Sequence, residues 1–152
     1  MLRTDHIVFP VWNAKASLAF YRNVLGLKLV NAISGPDWGG YPWLMIVLAT
    51  ADGREIVLVS LKGAKRPRKG KLARDVRHLA FSETSVAKLE GWRRKLAAAK
   101  VAFWEEKHGA QHSVYFEDPN GVVLEITAPP TRVPRRENAA ALAAASRWIA
   151  AS

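Results

Sequence analysis

The chain has 152 residues, about half of them apolar, no cysteine, and a formal charge of +10 from 23 basic and 13 acidic residues. That length fits one domain of ordinary size or two small fused modules, and the apolar share is enough for a core. Lack of cysteine removes disulfides, thiolate metal ligands and cysteine nucleophiles, and no apolar run reaches the ~18 residues of a membrane span. The opening Met-Leu-Arg-Thr-Asp-His lacks the order of a secretory signal, so a soluble, cytoplasmic protein is expected.

Taken in order, "DHIVFPV" from Asp5 reads as a short strand. An amphipathic helix follows, with Leu18, Tyr21 and Leu25 on one face and Gly26 as its stop. Strands are predicted over Lys28–Ile33, Trp43–Thr50 and Glu55–Leu61, with Asp52-Gly53 as a tight turn. Between the first two, "SGPDWGGYPW" (Ser34–Trp43) reads as a loop with aromatics at its tip, either a pocket lid or a plain connection. Lys62, Lys65, Arg66, Arg68, Lys69 and Lys71 then crowd one stretch, and Arg132, Arg135 and Arg136 another. The first run has no aromatic residue to stack on bases, which argues against nucleic acid and for a solvated linker. "RHLAF" from Arg77 opens a second strand–helix pair, the helix presenting Leu89, Trp92, Leu96 and Ala99. Strands follow over Val101–Trp104, Ser113–Phe116 and Val122–Thr127, the last two joined by Asp118-Pro119-Asn120-Gly121. An Ala-rich tail helix starts at Asn138 as N-cap, with Leu142, Ser146 and Ile149 on one face for the domain or a partner chain.

The chain repeats itself. At a constant offset of 72, His6 meets His78, Ile7 meets Leu79, Phe9 meets Phe81, Phe20 meets Trp92 and Arg22 meets Arg94. Both halves read βαβββ, which makes the fold α+β: two paired modules forming a curved mixed sheet with helices outside. The expected boundaries are module one 4–61, basic linker 62–74, module two 75–129, and tail 130–152. Alternation along strands then matters. If Ile7, Phe9, Leu79, Phe81, Leu124 and Ile126 pack under the helices, His6, His78 and Glu125 point to the opposite, concave side. On its own Glu125 would read as a solvated strand residue. Together, two histidines and a carboxylate are the ligand set of a divalent-metal site with open positions.

"DHIVFPV" with "FYRNVLGL", then "RHLAF", then "YFEDPNGVVLEI" resemble the vicinal oxygen chelate superfamily. That group includes glyoxalase I, extradiol ring-cleaving dioxygenases, fosfomycin-modifying enzymes and bleomycin-resistance proteins. The likeness spans roughly residues 4–129. It implies paired βαβββ modules and a metal held by His6, His78 and Glu125. Glyoxalase I-like members add a Glu on the last strand of module one. Matching Gly53 to Gly121 puts Val57 there, while Glu55, two residues away on the same face, could serve in a shifted register. Fosfomycin thiol-transferases carry a Thr two residues after the first His, where this chain has Val8, and Lys107 is badly spaced for their phosphonate grip. Bleomycin binders lack the ligands and present acidic surfaces, at odds with this charge.

Extradiol dioxygenases place a Tyr ten residues before the metal-binding Glu, where Tyr115 stands. They also use an auxiliary His, for which His108 and His112 are candidates. The resemblance thus implies a metal-dependent enzyme with small-molecule substrate, an extradiol-dioxygenase-like oxidoreductase being slightly favoured. The alternatives are a glyoxalase-like lyase or isomerase acting through Glu55, and a non-catalytic antibiotic-binding protein. Iron(II) or manganese(II) is favoured, with zinc(II), nickel(II) or magnesium(II) as alternatives. Trp12, Trp43 and Trp104, with Trp38 and Tyr41, are expected to line a pocket for a planar or partly apolar substrate, and the basic field suits an anionic one. Family members are commonly dimers, so a homodimer is an expectation here.

Overall fold

The computed structural model describes residues 4–68, 74–130 and 138–150. Lys69, Lys71, Arg132, Arg135 and Arg136 of the basic clusters lie outside the described residues, as do parts of the expected linker and tail. The first half runs β1 (His6–Pro10), α1 (Ala14–Ala19), β2 (Lys28–Trp38), β3 (Tyr41–Ala49) and β4 (Glu55–Leu61). The second runs β5 (His78–Ser82), α2 (Leu89–Ala98), β6 (Phe103–His108), β7 (Gln111–Glu117) and β8 (Val123–Ala128); α3 (Ala139–Ala150) closes the chain. The strands form two four-stranded sheets of matching order, β1-β4-β3-β2 and β5-β8-β7-β6. In each, the first strand lies at an edge, parallel to its neighbour, and the other pairings are antiparallel. The expected paired βαβββ architecture is the one adopted.

Local chemistry accounts for the elements. The Asn13 side chain accepts the Ala16 N–H at 3.0 Å and caps α1. The helix continues as a π-helical turn, Phe20–Val24, and ends at Gly26, whose φ of +76° favours glycine. The β-branched, alternating sequences of β4 and β8 suit strands with one face in the core. Ile7 and Phe9 of β1 and Leu79 and Phe81 of β5 turn inward, against the main apolar cluster. That cluster is common to both sheets: Phe20 of the first half and Phe116 of β7 have ring centroids 6.3 Å apart.

The turn between β7 and β8 ties the halves together. Asp118 Oδ1 accepts the backbone N–H groups of Asn120 and Val122, each at 2.8 Å. Its Oδ2 accepts the Tyr21 hydroxyl at 3.2 Å and Asn120 Nδ2 at 3.0 Å. Asn120 Nδ2 also donates to Ser17 Oγ at 2.9 Å, and Asn120 Oδ1 accepts the Trp12 N–H at 3.0 Å. Arg66 adds a hydrogen bond to the Asn120 carbonyl and lies over the Trp12 ring. Burial, then the Asp118 charge and hydrogen bond, push the Tyr21 hydroxyl well above its ordinary range.

Two expectations about elements change. Ser34–Trp43 is strand and hairpin rather than loop: β2 runs through Trp38, β3 begins at Tyr41, and Gly39 and Gly40 turn the chain with positive φ. Side-chain packing is the reason. The Trp43 indole lies so close to Gly35 that a Cβ there would sit 2.5 Å from Nε1, and Trp38 meets Trp43 edge-on at 5.5 Å. The strand expected over Val101–Trp104 starts later, at Phe103, because Val101 closes the end of α2 by donating to the Leu96 carbonyl. The tail helix is capped by Asn138 as expected, with Leu142 and Ile149 exposed. Among the described residues no helix is long and apolar enough to cross a membrane.

Candidate metal centre

The face of the second sheet turned away from the core carries the concentrated chemistry. Glu125 on β8 pairs with Ala80 of β5 on one side and Tyr115 of β7 on the other, and Tyr115 pairs with Trp104 of β6. Glu125 is buried, 6 % exposed, although its neighbours Leu124 and Ile126 point to the opposite, core face. His78 begins β5, and its Nε2 stands 2.9 Å from Glu125 Oε2. Its Nδ1 stands 2.7 Å from the Asp75 carbonyl oxygen. A carbonyl only accepts, so Nδ1 carries a proton and a neutral His78 leaves Nε2 bare. A bare nitrogen and an acceptor-only carboxylate then face each other, an arrangement that needs a proton or a cation between them. Two ligand bonds of about 2.1 Å at right angles would place donor atoms about 3 Å apart. The His78–Glu125 separation fits that bite, and the Asp75 carbonyl orients the ring as an outer partner of a metal-binding histidine does.

Tyr115 covers this pair. Its ring meets His78 edge-on at 5.7 Å and stacks on Trp104 at 5.3 Å, with an interplanar angle of 17°. Burial, followed by the charge and hydrogen bond of Glu125, pushes the Tyr115 hydroxyl up to about 12. His108 Nε2 lies 3.3 Å from the Tyr115 hydroxyl and 3.3 Å from Glu106 Oε2. Ser113 and Thr127 hydroxyls bond to each other at 3.0 Å one step further along the same face.

The first sheet presents a different surface. Val57 of β4 pairs with Val8 of β1 and Val47 of β3, the ladder position that Glu125 holds in the second sheet. Val47, Val57 and Val59 pack together, with Met45 and Leu61 against them. His6 sits at the edge of this apolar face, half exposed, with Nδ1 2.8 Å from Asp5 Oδ2. Glu55 is its direct neighbour in the β1–β4 ladder.

The structure therefore brings together His78, Glu125, Tyr115, Trp104 and His108, and leaves His6, Glu55 and Val57 on the other sheet. Among the described residues no three histidine or acidic side chains stand close enough to hold one ion. His112 falls on the wrong face of β7 for this centre: it shares the core side with buried Val114, and its ring lies near Glu105. Trp12 sits at the joint made by Asn120 and Arg66, and Trp43 covers Gly35 on β2; neither belongs to the His78–Glu125 group. Sequence reasoning passed over Glu106, which joins the centre through His108 and whose signal was its alternation with Trp104 and His108 on β6.

A family model described as the glyoxalase/bleomycin resistance protein/dioxygenase superfamily matches residues 3–126. No curated protein matches the chain. Among solved structures, a glyoxylase/bleomycin resistance protein/dioxygenase domain from Frankia sp. EAN1pec superposes with a TM-score of 0.70 at 21 % identity, covering 86 % of this chain and 99 % of that one. The lactoylglutathione lyase of Agrobacterium tumefaciens gives 0.60 at 20 % identity, covering 82 % and 92 %. The genomically encoded fosfomycin resistance protein FosX of Listeria monocytogenes, complexed with manganese(II) and sulfate ion, gives 0.64 at 17 % identity, covering 86 % and 94 %. At such identities these likenesses concern the fold.

Proposed function

Because this chain belongs to the glyoxalase/bleomycin resistance protein/dioxygenase superfamily, we propose that it is a divalent-metal-dependent enzyme acting on a small organic substrate with adjacent oxygens. The observation that carries the reading is His78 Nε2 held 2.9 Å from the buried Glu125 carboxylate, with its Nδ1 turned to the Asp75 carbonyl. His78 and Glu125 would hold the ion, and His6 is the third donor. In one chain His6 lies on the other sheet, so the reading takes His6 from a second copy. Among the described residues β1 and β5 are both edge strands, each opening on its histidine, so each offers an edge to another copy.

When bound there, a divalent cation supplies Lewis acidity toward adjacent substrate oxygens, and iron(II) or manganese(II) adds the redox capacity that ring cleavage by dioxygen needs. The remaining roles belong to the protein. Glu125 offsets part of the positive charge, and the Asp75 carbonyl fixes the His78 ring. Tyr115 keeps its proton through the physiological range and so donates a hydrogen bond rather than acting as a base. The apolar Val57 in place of a fourth donor supports an extradiol-dioxygenase-like reaction first. One observation favours a glyoxalase-like lyase as second reading: Glu55 stands beside His6 in the ladder and could join it.

The experiment is metal analysis of protein purified without chelator, followed by oxygen uptake on catechols and turnover of hemithioacetals. Iron or manganese with oxygen uptake supports the first reading. Nickel or zinc, lost in Glu55→Gln and accompanied by hemithioacetal turnover, supports the second. Absence of any tightly held metal overturns both.

A further inference from the structure

We infer that Trp104, Glu106 and His108 form a positioning clamp that fixes the Tyr115 hydroxyl onto Glu125 and thereby sets how tightly this centre holds its cation; the inference rests on the metal reading above. The geometry is a closed ring of contacts across β6 and β7. Trp104 Nε1 donates to Glu106 Oε1 at 3.3 Å. Glu106 Oε2 stands 3.3 Å from His108 Nε2, which stands 3.3 Å from the Tyr115 hydroxyl. The Tyr115 ring returns to Trp104 by stacking at 5.3 Å. Unlike His78, whose Nδ1 is turned to a carbonyl, His108 meets Glu106 and Tyr115 through Nε2, and a proton there satisfies them both. That one N–H is shared between the Glu106 carboxylate and the Tyr115 oxygen, and because the Glu125 carboxylate only accepts, the Tyr115 O–H is the donor between Tyr115 and its cross-strand partner Glu125. Trp104 fixes the ring plane, His108 fixes the direction of the hydroxyl, and Glu106 holds both partners at once.

The arrangement is particular to this sheet. At the corresponding ladder position the first sheet has Val47 where Tyr115 stands and Val57 where Glu125 stands, so nothing there needs such a clamp. Trp104, expected to line the substrate pocket, is placed by its stacking as a support for Tyr115. A hydrogen bond to Glu125 would orient its carboxylate, which is how an outer partner acts on a metal-binding side chain. Partners of this outer kind typically change metal affinity ~10–100-fold when removed.

The test uses the full chain, with zinc(II) or cobalt(II) affinity measured against a chelator of known strength and near-ultraviolet circular dichroism of the metal-free protein. Tyr115→Phe, which removes the direct partner of Glu125, is expected to weaken metal binding roughly 10-fold or more; Glu106→Ala is expected to weaken it in the same direction by less and to change the aromatic signal of the Trp104–Tyr115 stack, and Glu106→Gln, which keeps an acceptor for Trp104, retains the signal. In a double-mutant cycle, Glu106→Ala adds little to Tyr115→Phe, because both act through one hydroxyl. Additive losses, or a Glu106→Ala protein with wild-type affinity and aromatic signal, overturn the clamp while leaving the metal reading standing. A wild-type protein that binds neither ion overturns the metal reading and the clamp's role with it.

Discussion

Replacing Asp118 by alanine removes four accepted hydrogen bonds from a side chain that is 4 % exposed. The donors do not suffer equally. Asn120 Nδ2 keeps Ser17 Oγ, and the half-buried Val122 N–H is within reach of water. The Tyr21 hydroxyl, on a residue with no exposed surface, and the Asn120 N–H lose their acceptor in the interior. Each buried orphan costs roughly 1–3 kcal/mol, so the two together cost about 4 kcal/mol. For a chain of this size that lowers Tm by roughly 8–16 °C. Tyr21→Phe alone should cost about 1 kcal/mol, since Asp118 keeps its other donors. In the Asp118→Ala background the same change should be neutral or stabilising, because it removes the stranded hydroxyl. Urea unfolding of the four proteins, followed by far-ultraviolet circular dichroism, measures the cycle. An Asp118→Ala protein within about 1 kcal/mol of wild type, or a Tyr21→Phe cost equal in both backgrounds, would refute the reasoning.

Gly35→Val places side-chain atoms where the Trp43 indole lies, and is expected to cost about 1–3 kcal/mol and alter the near-ultraviolet signal of the Trp38–Trp43 pair. The Tyr21 and Tyr115 hydroxyls both have raised folded-state values, so their stabilisation is whole below the unfolded value near 10 and fades as pH climbs through the folded values. Denaturant midpoints should fall above pH 10, by up to about 1.4 kcal/mol per pH unit for each group, and Tyr115→Phe should delete the phenolate step centred near pH 12 from the ultraviolet titration. If His6 comes from a second copy, mixing refolded His6→Ala and Glu125→Ala chains should restore metal binding to about a quarter of all sites, since half the dimers are mixed and each regains one centre. Metal-free mixtures would show that the donors are not shared between copies.

The parts that read correctly from sequence are those governed by strand alternation and turn chemistry. A period of two put Ile7 and Phe9 inside and His6 outside, and it did the same for Leu79, Phe81 and His78. Aligning Gly53 with Gly121 predicted that Val57 occupies the place of Glu125, and the two ladders agree. What stayed hidden depends on contacts between distant segments. Ser34–Trp43 has the Gly and Pro punctuation of a loop, yet Trp43 lying on Gly35 makes it a hairpin. Asp118 and Asn120 read as turn residues, and nothing local says that their side chains reach Ser17, Trp12 and Tyr21 about 100 residues earlier. The partnership of Trp104, Glu106 and His108 needs the register of β6 against β7, and a two-residue error in where β6 begins is enough to conceal it.

The duplication also explains why one histidine stands apart from the other two ligand candidates. In both units the first strand runs parallel to the last and lies at the edge of its sheet. A donor at its opening residue is therefore at the rim of its own sheet, on a strand paired along one side only among the described residues. His78 reaches Glu125 because both belong to the second sheet; the equivalent neighbours of His6 in the first sheet are Val57 and Val47, which offer an ion nothing. Bare edges are a hazard that folded proteins cover or block, and β1 adds an exposed Val8 beside His6. Setting β1 of one copy along β5 of another would cover both edges, remove Val8 from water and carry His6 toward the His78–Glu125 pair. On the proposed reading, metal affinity and self-association are then linked: chelation should loosen the dimer and dilution should release the ion, each by the same free energy.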